Sequence, residues 1–229
     1  MPKIKRIYVG TNLVYPTWKP NSNTIAYFPL KEDVLDHSWN WNNASWNPNS
    51  FTGGVANYSW NSTTLPTSLV SSWTITVNVW FNDLRTSNFS KNISFIGQHT
   101  TQNYWFCMRA NSYYGSDYNI WTYQSSWSGY ATAYYVITEA SSTPRTWWHN
   151  MVSMRDGSKI YMYLDGQSIW EAAYSWLSSN TFYMGYDHGY DWWAWTGRLS
   201  ELIFENKIRT AQEIKDYYHQ TKAKYLWIS

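Results

Sequence analysis

The sequence predicts an all-β protein with one short helix close to its C-terminal end, and three observations carry that expectation. Aromatic residues make up 21% of the 229 residues, as 18 Trp, 21 Tyr and 8 Phe. With the β-branched residues they suit pleated, half-buried strands, and the intervening Asn, Ser and Gly suit turns. Charge is scarce: 14% of side chains against about 25% in ordinary soluble domains. Between Asp36 and Glu139 the charged residues are Asp83, Arg85, Lys91, Arg109 and Asp117. Helix formers gather only after residue 207.

The elements follow in chain order. Residues 1–20 read as a small basic leader hairpin, with Ile4, Ile7, Val9, Leu13 and Val14 around Gly10-Thr11-Asn12 and a stop at Pro16 and Pro20. Residues 21–229 form the main domain. Ile25 to Leu30, Trp73 to Phe81, Asn92 to Gln98, Tyr104 to Arg109 and Asn119 to Tyr123 are short runs bounded by turn residues, which predicts strands. In the second run Trp73, Ile75, Val77, Val79 and Phe81 alternate with Thr74, Thr76 and Asn78. That period of two predicts a strand with one buried face. Asp156-Gly157 inside Trp147 to Asp165 is a strong hairpin signal, and Asp165-Gly166 opens a further turn into Ser168 to Trp170. Thr210 lies three residues before Glu213, a capping box that opens a helix over about 210–222 with Ile214, Tyr217 and Tyr218 on one face.

Several function classes fall away. A formal charge of +2 offers no basic footprint for nucleic acid. One cysteine, Cys107, forbids an intramolecular disulfide, argues against a Cys-based zinc site, and reads as a buried, inert thiol. No run approaches the roughly 20 apolar residues of a membrane span, so no membrane insertion is expected. Gly10, Thr11 and Asn12 interrupt the opening residues, which therefore lack the apolar stretch of a signal peptide. His37, His99, His149, His188 and His219 are scattered away from any Gly-x-Ser-x-Gly elbow, and no phosphate loop or dinucleotide fingerprint is present.

Three stretches resemble the laminin-G-like, concanavalin-A-like lectin/glucanase superfamily. Ala26-Tyr-Phe-Pro-Leu30 followed by Asp33, Asp36 and Ser38 is similar to that family's opening strand and Asp-rich turn. Trp148-His149, Gly157 and Tyr163-Leu-Asp-Gly166 are similar to its central hairpin, and Trp195 to Phe204 with Ile208, Thr210 and Glu213-Ile214 to its closing strand and helix. The resemblance implies a two-sheet antiparallel jelly-roll sandwich of a dozen or so strands with one short C-terminal helix. Structural calcium is frequent in that family, which makes Asp33, Asp36 and Glu201 the candidate ligands; no other cofactor is implied. The glucanases of the superfamily carry a Glu-x-Asp-x-x-Glu type strand, absent here, so the chain reads as a non-enzyme with no catalytic residues. The segment Ile4 to Pro16 resembles the leader of bacteriophage tail, fibre and head-appendage proteins.

The positive signal is aromatic. Eighteen Trp exceed what one core needs, so some are expected at surfaces, where indole and phenol faces stack on the C–H faces of sugars and neighbouring polar groups bond their hydroxyls. Residues 186–195 combine both kinds, making Tyr186, Asp187, His188, Tyr190, Asp191, Trp192, Trp193 and Trp195 the candidate glycan contacts. Trp39, Trp41 and Trp46 form a second aromatic loop, read as glycan contact, packing or assembly surface. The expected function is a non-catalytic phage virion protein (fibre, tail or capsid decoration) with a lectin-like sandwich. Its expected partners are host surface glycans, other virion subunits and further copies of itself, and its expected location is the virion. The alternative is a free-standing bacterial carbohydrate-binding module.

Overall fold

The protein is described by a computed structural model over residues 7–9, 12–14, 18–59, 61–84, 93–100, 103–111, 118–126, 129–137, 148–173, 182–185 and 195–225. Among the described residues every strand pair is antiparallel. Two short strands, β1 (Ile7–Val9) and β2 (Asn12–Val14), pair with each other. The rest build two sheets. The six-stranded sheet runs β11 (Gly129–Ile137), β10 (Tyr118–Ser126), β9 (Asn103–Asn111), β8 (Ile93–Thr100), β15 (Phe182–Met184), β6 (Thr63–Leu65). The eight-stranded sheet runs β14 (Gln167–Ala173), β13 (Lys159–Leu164), β12 (His149–Asp156), β7 (Thr74–Asp83), β16 (Thr196–Glu205), β5 (Val55–Ser59), β4 (Ser50–Thr52), with β3 (Thr24–Phe28) also on β16. The expected two-sheet sandwich with a C-terminal helix is therefore the observed one.

The sheets meet over an aromatic core. Phe28, Tyr58, Phe81, Phe95, Trp195 and Phe204 are all at most 2% exposed, and each contributes of order 1.5–3 kcal/mol through burial. Phe81 of one sheet stacks on Phe95 of the other with centroids 4.4 Å apart. The expected hairpins are present. Gly157 has φ +93°, and Asp165 and Gly166, at +50° and +79°, make the two-residue turn between β13 and β14.

One expectation needs correcting. Strand β7 is buried on both faces, because Thr76, Asn78, Trp80 and Asn82 are covered as fully as Ile75, Val77, Val79 and Phe81. The cause is the helix α1 (Ala211–Tyr225), which lies over the outer face of the larger sheet. Trp80 stacks on Tyr225 at 4.2 Å and on Tyr218 at 5.7 Å, while Ile214 packs with Val152, Met154 and Tyr163. Polar members of that face are tied to one another and to backbone: Asn150 Nδ2 donates to Asn78 Oδ1 and to the Val79 carbonyl, and Thr76 Oγ1 donates to the Lys207 carbonyl. Trp73, expected on the core face, precedes the strand and is 52% exposed.

Helix α1 starts as its sequence indicates. Glu213 N–H donates to Thr210 Oγ1 at 3.1 Å and Thr210 N–H donates to Glu213 Oε2 at 2.7 Å, a reciprocal capping box. Strand β16 switches partners midway, pairing β5 through Thr196–Leu199 and β3 through Leu202–Glu205. The switch is made by a bulge at which Glu201 has φ +50°.

Candidate functional site

The segment between β3 and β4 gives the clearest surface feature. Among the described residues, strand β3 pairs with β16 along one edge only, and side chains bond to its other edge. The loop does this with an alternating Trp-Asn sequence. Asn40 Nδ2 donates to the Thr24 carbonyl at 2.7 Å and the Ile25 carbonyl at 3.1 Å, and Asn42 Nδ2 donates to the Ile25 carbonyl at 2.8 Å. Asp36 accepts from the N–H groups of Tyr27, Ser38 and Asn42, all within 2.9 Å, and its own N–H donates to Asn43 Oδ1. His37 N–H donates to the Tyr27 carbonyl, and Ser45 forms a bridge with Thr64.

With the asparagines turned inward, the intervening indoles point out. Trp39, Trp41 and Trp46 are 84%, 82% and 79% exposed. All three have left-handed backbone, with φ of +74°, +59° and +67°. That conformation costs an L-residue about 1–2 kcal/mol, and bulky residues rarely adopt it. The hydrogen-bonded frame holds three strained, exposed tryptophans on one short loop. The Trp-Asn alternation is the sequence signal for Asn40 and Asn42 as anchors, one that the aromatic residues alone do not reveal.

The other candidate residues fare differently. Residues 186–194, which include Tyr186, Asp187, His188, Tyr190, Asp191, Trp192 and Trp193, lie outside the described residues. Trp195 is described and is 0% exposed, packed beside Tyr58 and Phe95. Its ring faces the space between the sheets, so it is a core residue and no surface contact. The side chain of Cys107 also lies outside the described residues.

Asp33, Asp36 and Glu201 do not converge on a common centre. Asp36 is engaged by backbone N–H groups, and Asp33 accepts from the Leu35 N–H and faces His37 Nε2 at 3.1 Å. Glu201 is buried beneath the helix, accepting from Tyr217 Oη at 2.8 Å and Lys224 Nζ at 2.6 Å. Among the described residues, no group of three or more His, Cys, Asp or Glu is placed to hold a metal ion. The three candidate carboxylates are therefore not brought together as ligands of one calcium ion, which needs six to eight converging oxygens.

The buried carboxylates have a structural task. Glu205 pairs with Arg209 and is approached by Asn21 Nδ2. The Arg209 guanidinium lies 5.9 Å from the Trp18 ring and 5.2 Å from Tyr217, a cation–π arrangement that helps to offset its burial. Burial, together with the Glu201 charge, pushes the phenols of Tyr217 and Tyr225 well above their ordinary value. His149 Nδ1 meets Asp165 Oδ2 at 2.8 Å and Asp165 Oδ1 accepts from the Asn150 N–H, which fastens the central hairpin.

A two-sheet antiparallel sandwich closed by a short helix, with Glu201 and Glu205 buried as ties and Trp39, Trp41 and Trp46 displayed on a loop, defines a lectin-like class of protein. The chain belongs to the Laminin_G_3 family of the Concanavalin A-like lectin/glucanases superfamily, whose model matches residues 56–215. Among solved structures it is similar to domain 4 of AbnA, a GH43 extracellular arabinanase from Geobacillus stearothermophilus, in complex with arabinotriose. That match has 16% identity, a TM-score of 0.59, and covers 85% of this chain and 97% of that one. It is also similar to the binding domain of botulinum neurotoxin serotype D, at 12% identity and a TM-score of 0.67, covering 86% of this chain and 51% of that one. The binding domain of Paraclostridial Mosquitocidal Protein 1 matches at 11% identity and a TM-score of 0.65, covering 86% and 52%. The chain spans about half the length of both toxin binding domains. A search of curated proteins finds no match. Among the described residues, no helix is long and apolar enough to cross a membrane.

Proposed function

We propose that this protein is a non-catalytic adhesion component of a bacteriophage virion, and that its sandwich displays tryptophans to host surface glycans. The observation that carries the glycan reading is the loop holding Trp39, Trp41 and Trp46 at 79–84% exposure in left-handed backbone. Strain of that kind persists where the surrounding structure over-determines it, and it gathers at functional sites. Flat, rigid indoles suit the C–H faces of sugar rings and lose little conformational freedom on contact. Support comes also from a relative of the same fold that is described in complex with arabinotriose. Tyr186 to Trp193 remain a second proposed contact.

The non-catalytic part rests on the carboxylates. Glu201 and Glu205 on the closing strand are each 1% exposed and committed to Lys224 and Arg209, which leaves them no access to a glycosidic oxygen. The virion part rests on the leader, residues 1–20, and on the low surface charge, which favours contacts among many copies. Affinity at one site would be weak and made useful by multiplicity.

A glycan array probed with the wild type, with Trp39→Ala/Trp41→Ala/Trp46→Ala and with Trp192→Ala/Trp193→Ala tests the reading. Binding by the wild type that a folded variant loses is the expected result, and silence from the folded wild type overturns it. Deletion of residues 2–20 tests the virion role: a folded protein that no longer joins particles is expected. Unchanged glycan binding with no particle association in either form would favour a free-standing carbohydrate-binding module.

A further inference from the structure

A cleft of about 270 Å³ opens at the start of the same loop, between Trp18, Pro29, Lys31, Glu32, Asp33 and His37. Its walls differ in chemistry. Pro29 is buried and Trp18 half-buried, whereas Lys31, Glu32 and His37 are exposed. Trp18 is held in place, edge-on to Tyr27 with centroids 4.9 Å apart and with the Arg209 guanidinium close to its ring. Asp33 is oriented by the Leu35 N–H and by His37 Nε2. The cleft therefore combines a held apolar ring, Trp18, with two carboxylates and an ammonium group on the same lining.

We infer that this cleft is a binding site for a single neutral sugar ring. The ring's C–H face would lie on Trp18 and Pro29, and adjacent hydroxyls would donate to Glu32 and Asp33 while another accepts from Lys31. Three properties select that ligand. The volume falls just below the roughly 300–1,000 Å³ of pockets that take drug-sized molecules, which leaves room for one ring and not a chain. The polar rim supplies acceptors and a donor side by side, as a polyol with both roles on every hydroxyl requires. The two carboxylates are partly balanced by Lys31, which disfavours an anion and gives a cation no exclusive claim. The cleft and the tryptophan loop are joined through His37, the residue that bonds to Asp33 and whose N–H is fixed to the Tyr27 carbonyl. A glycan could thus end in the cleft and run on over Trp39 and Trp41. This inference rests on the glycan reading above.

The test uses saturation-transfer NMR with free D-glucose, D-galactose and L-arabinose as probes, run beside the glycan array. The proteins are the wild type, Glu32→Gln/Asp33→Asn and Trp39→Ala/Trp41→Ala/Trp46→Ala. The carboxamide pair is chosen because it alters the rim and leaves the packing of Trp18 alone. Saturation of ring C–H protons by the wild type for at least one sugar is expected. It should fall by about tenfold or more in the carboxamide pair and persist in the triple tryptophan variant. A signal that the carboxamide pair retains, or no signal from a wild type that binds the array, overturns the cleft and leaves the glycan reading standing. Silence in both assays overturns both.

Discussion

Replacing Trp39, Trp41 and Trp46 together by glycine should make the protein more stable and less able to bind. Each of these residues has φ between +59° and +74°, where a side chain costs about 1–2 kcal/mol that glycine does not. Glycine returns about 0.5–1 kcal/mol of that through its greater freedom in the unfolded chain. The burial term is close to nil: the rings are 79–84% exposed, and a realistic unfolded chain already covers 10–40% of its extended-chain surface, in round terms. About 0.5–1 kcal/mol per position remains, or roughly 1.5–3 kcal/mol for three positions that do not pack on one another. For a domain of this size that is a rise in Tm of roughly 3–12 °C. Urea denaturation followed by far-UV circular dichroism reads it, with the midpoint rising and the slope unchanged. A triple variant less stable than wild type by about 1 kcal/mol or more would mean that the indoles pack on the domain, and the case for a strained, displayed surface would collapse. Full retention of array binding would likewise remove the loop from the site.

Three other outcomes are expected. Gly185→Ala should cost about 3 kcal/mol or more, because φ there is +81° and a Cβ would sit 2.1 Å from Cδ1 of Tyr58, a fully packed ring tied to Thr63; a loss under about 1 kcal/mol in a denaturation curve contradicts this. Thr210→Ala removes the cap of α1 and should lower stability by about 1 kcal/mol, with no change if the helix is held by packing alone. At alkaline pH the buried phenols of Tyr58, Tyr217 and Tyr225, all raised above their ordinary value chiefly by burial, should drive unfolding. A raised folded-state pKa means that the stability is fully present below about pH 10 and is lost as pH rises toward the folded value. Each phenol contributes a slope of about 1.4 kcal/mol per pH unit there. Denaturation midpoints that stay level through that range, while exposed tyrosines ionise at 295 nm, would contradict the burial of these three.

The parts of the fold that the sequence disclosed are those with local signals. The Asp156-Gly157 and Asp165-Gly166 turns and the Thr210–Glu213 cap each act over a few residues, and each is found in place. The hidden parts depend on distant partners. That β7 is covered on both faces follows from a helix more than 120 residues later, and Asn78 gives no hint that Asn150 will meet it. Strands β4, β5, β6 and β15 are short segments whose pairing, more than their composition, makes them strands. Trp195 illustrates the same limit at the site: in sequence it ends an aromatic run of loop character, yet one position decides that its ring turns inward onto Phe95. The exposure of Trp39, Trp41 and Trp46 was half visible, as an aromatic excess in a turn. The asparagine bonds that set its direction needed the edge of β3 beside them.

The central position of β16 has a consequence for how the molecule is made. This strand joins β7 on one side to β5 and β3 on the other, so Phe28 waits for Leu202 and Ala26 for Phe204. A chain emerging from the ribosome cannot close its larger sheet until about residue 205 is free, and α1 must then cover Trp80 and Tyr27. Until that moment β3, β5 and β7 carry open edges rich in aromatics. Folding dominated by such distant pairings is slow, and any product cut short before β16 would be an aggregation-prone fragment. Expression of the domain should therefore tolerate trimming at residues 1–17 far better than loss of the segment from Thr196 onward.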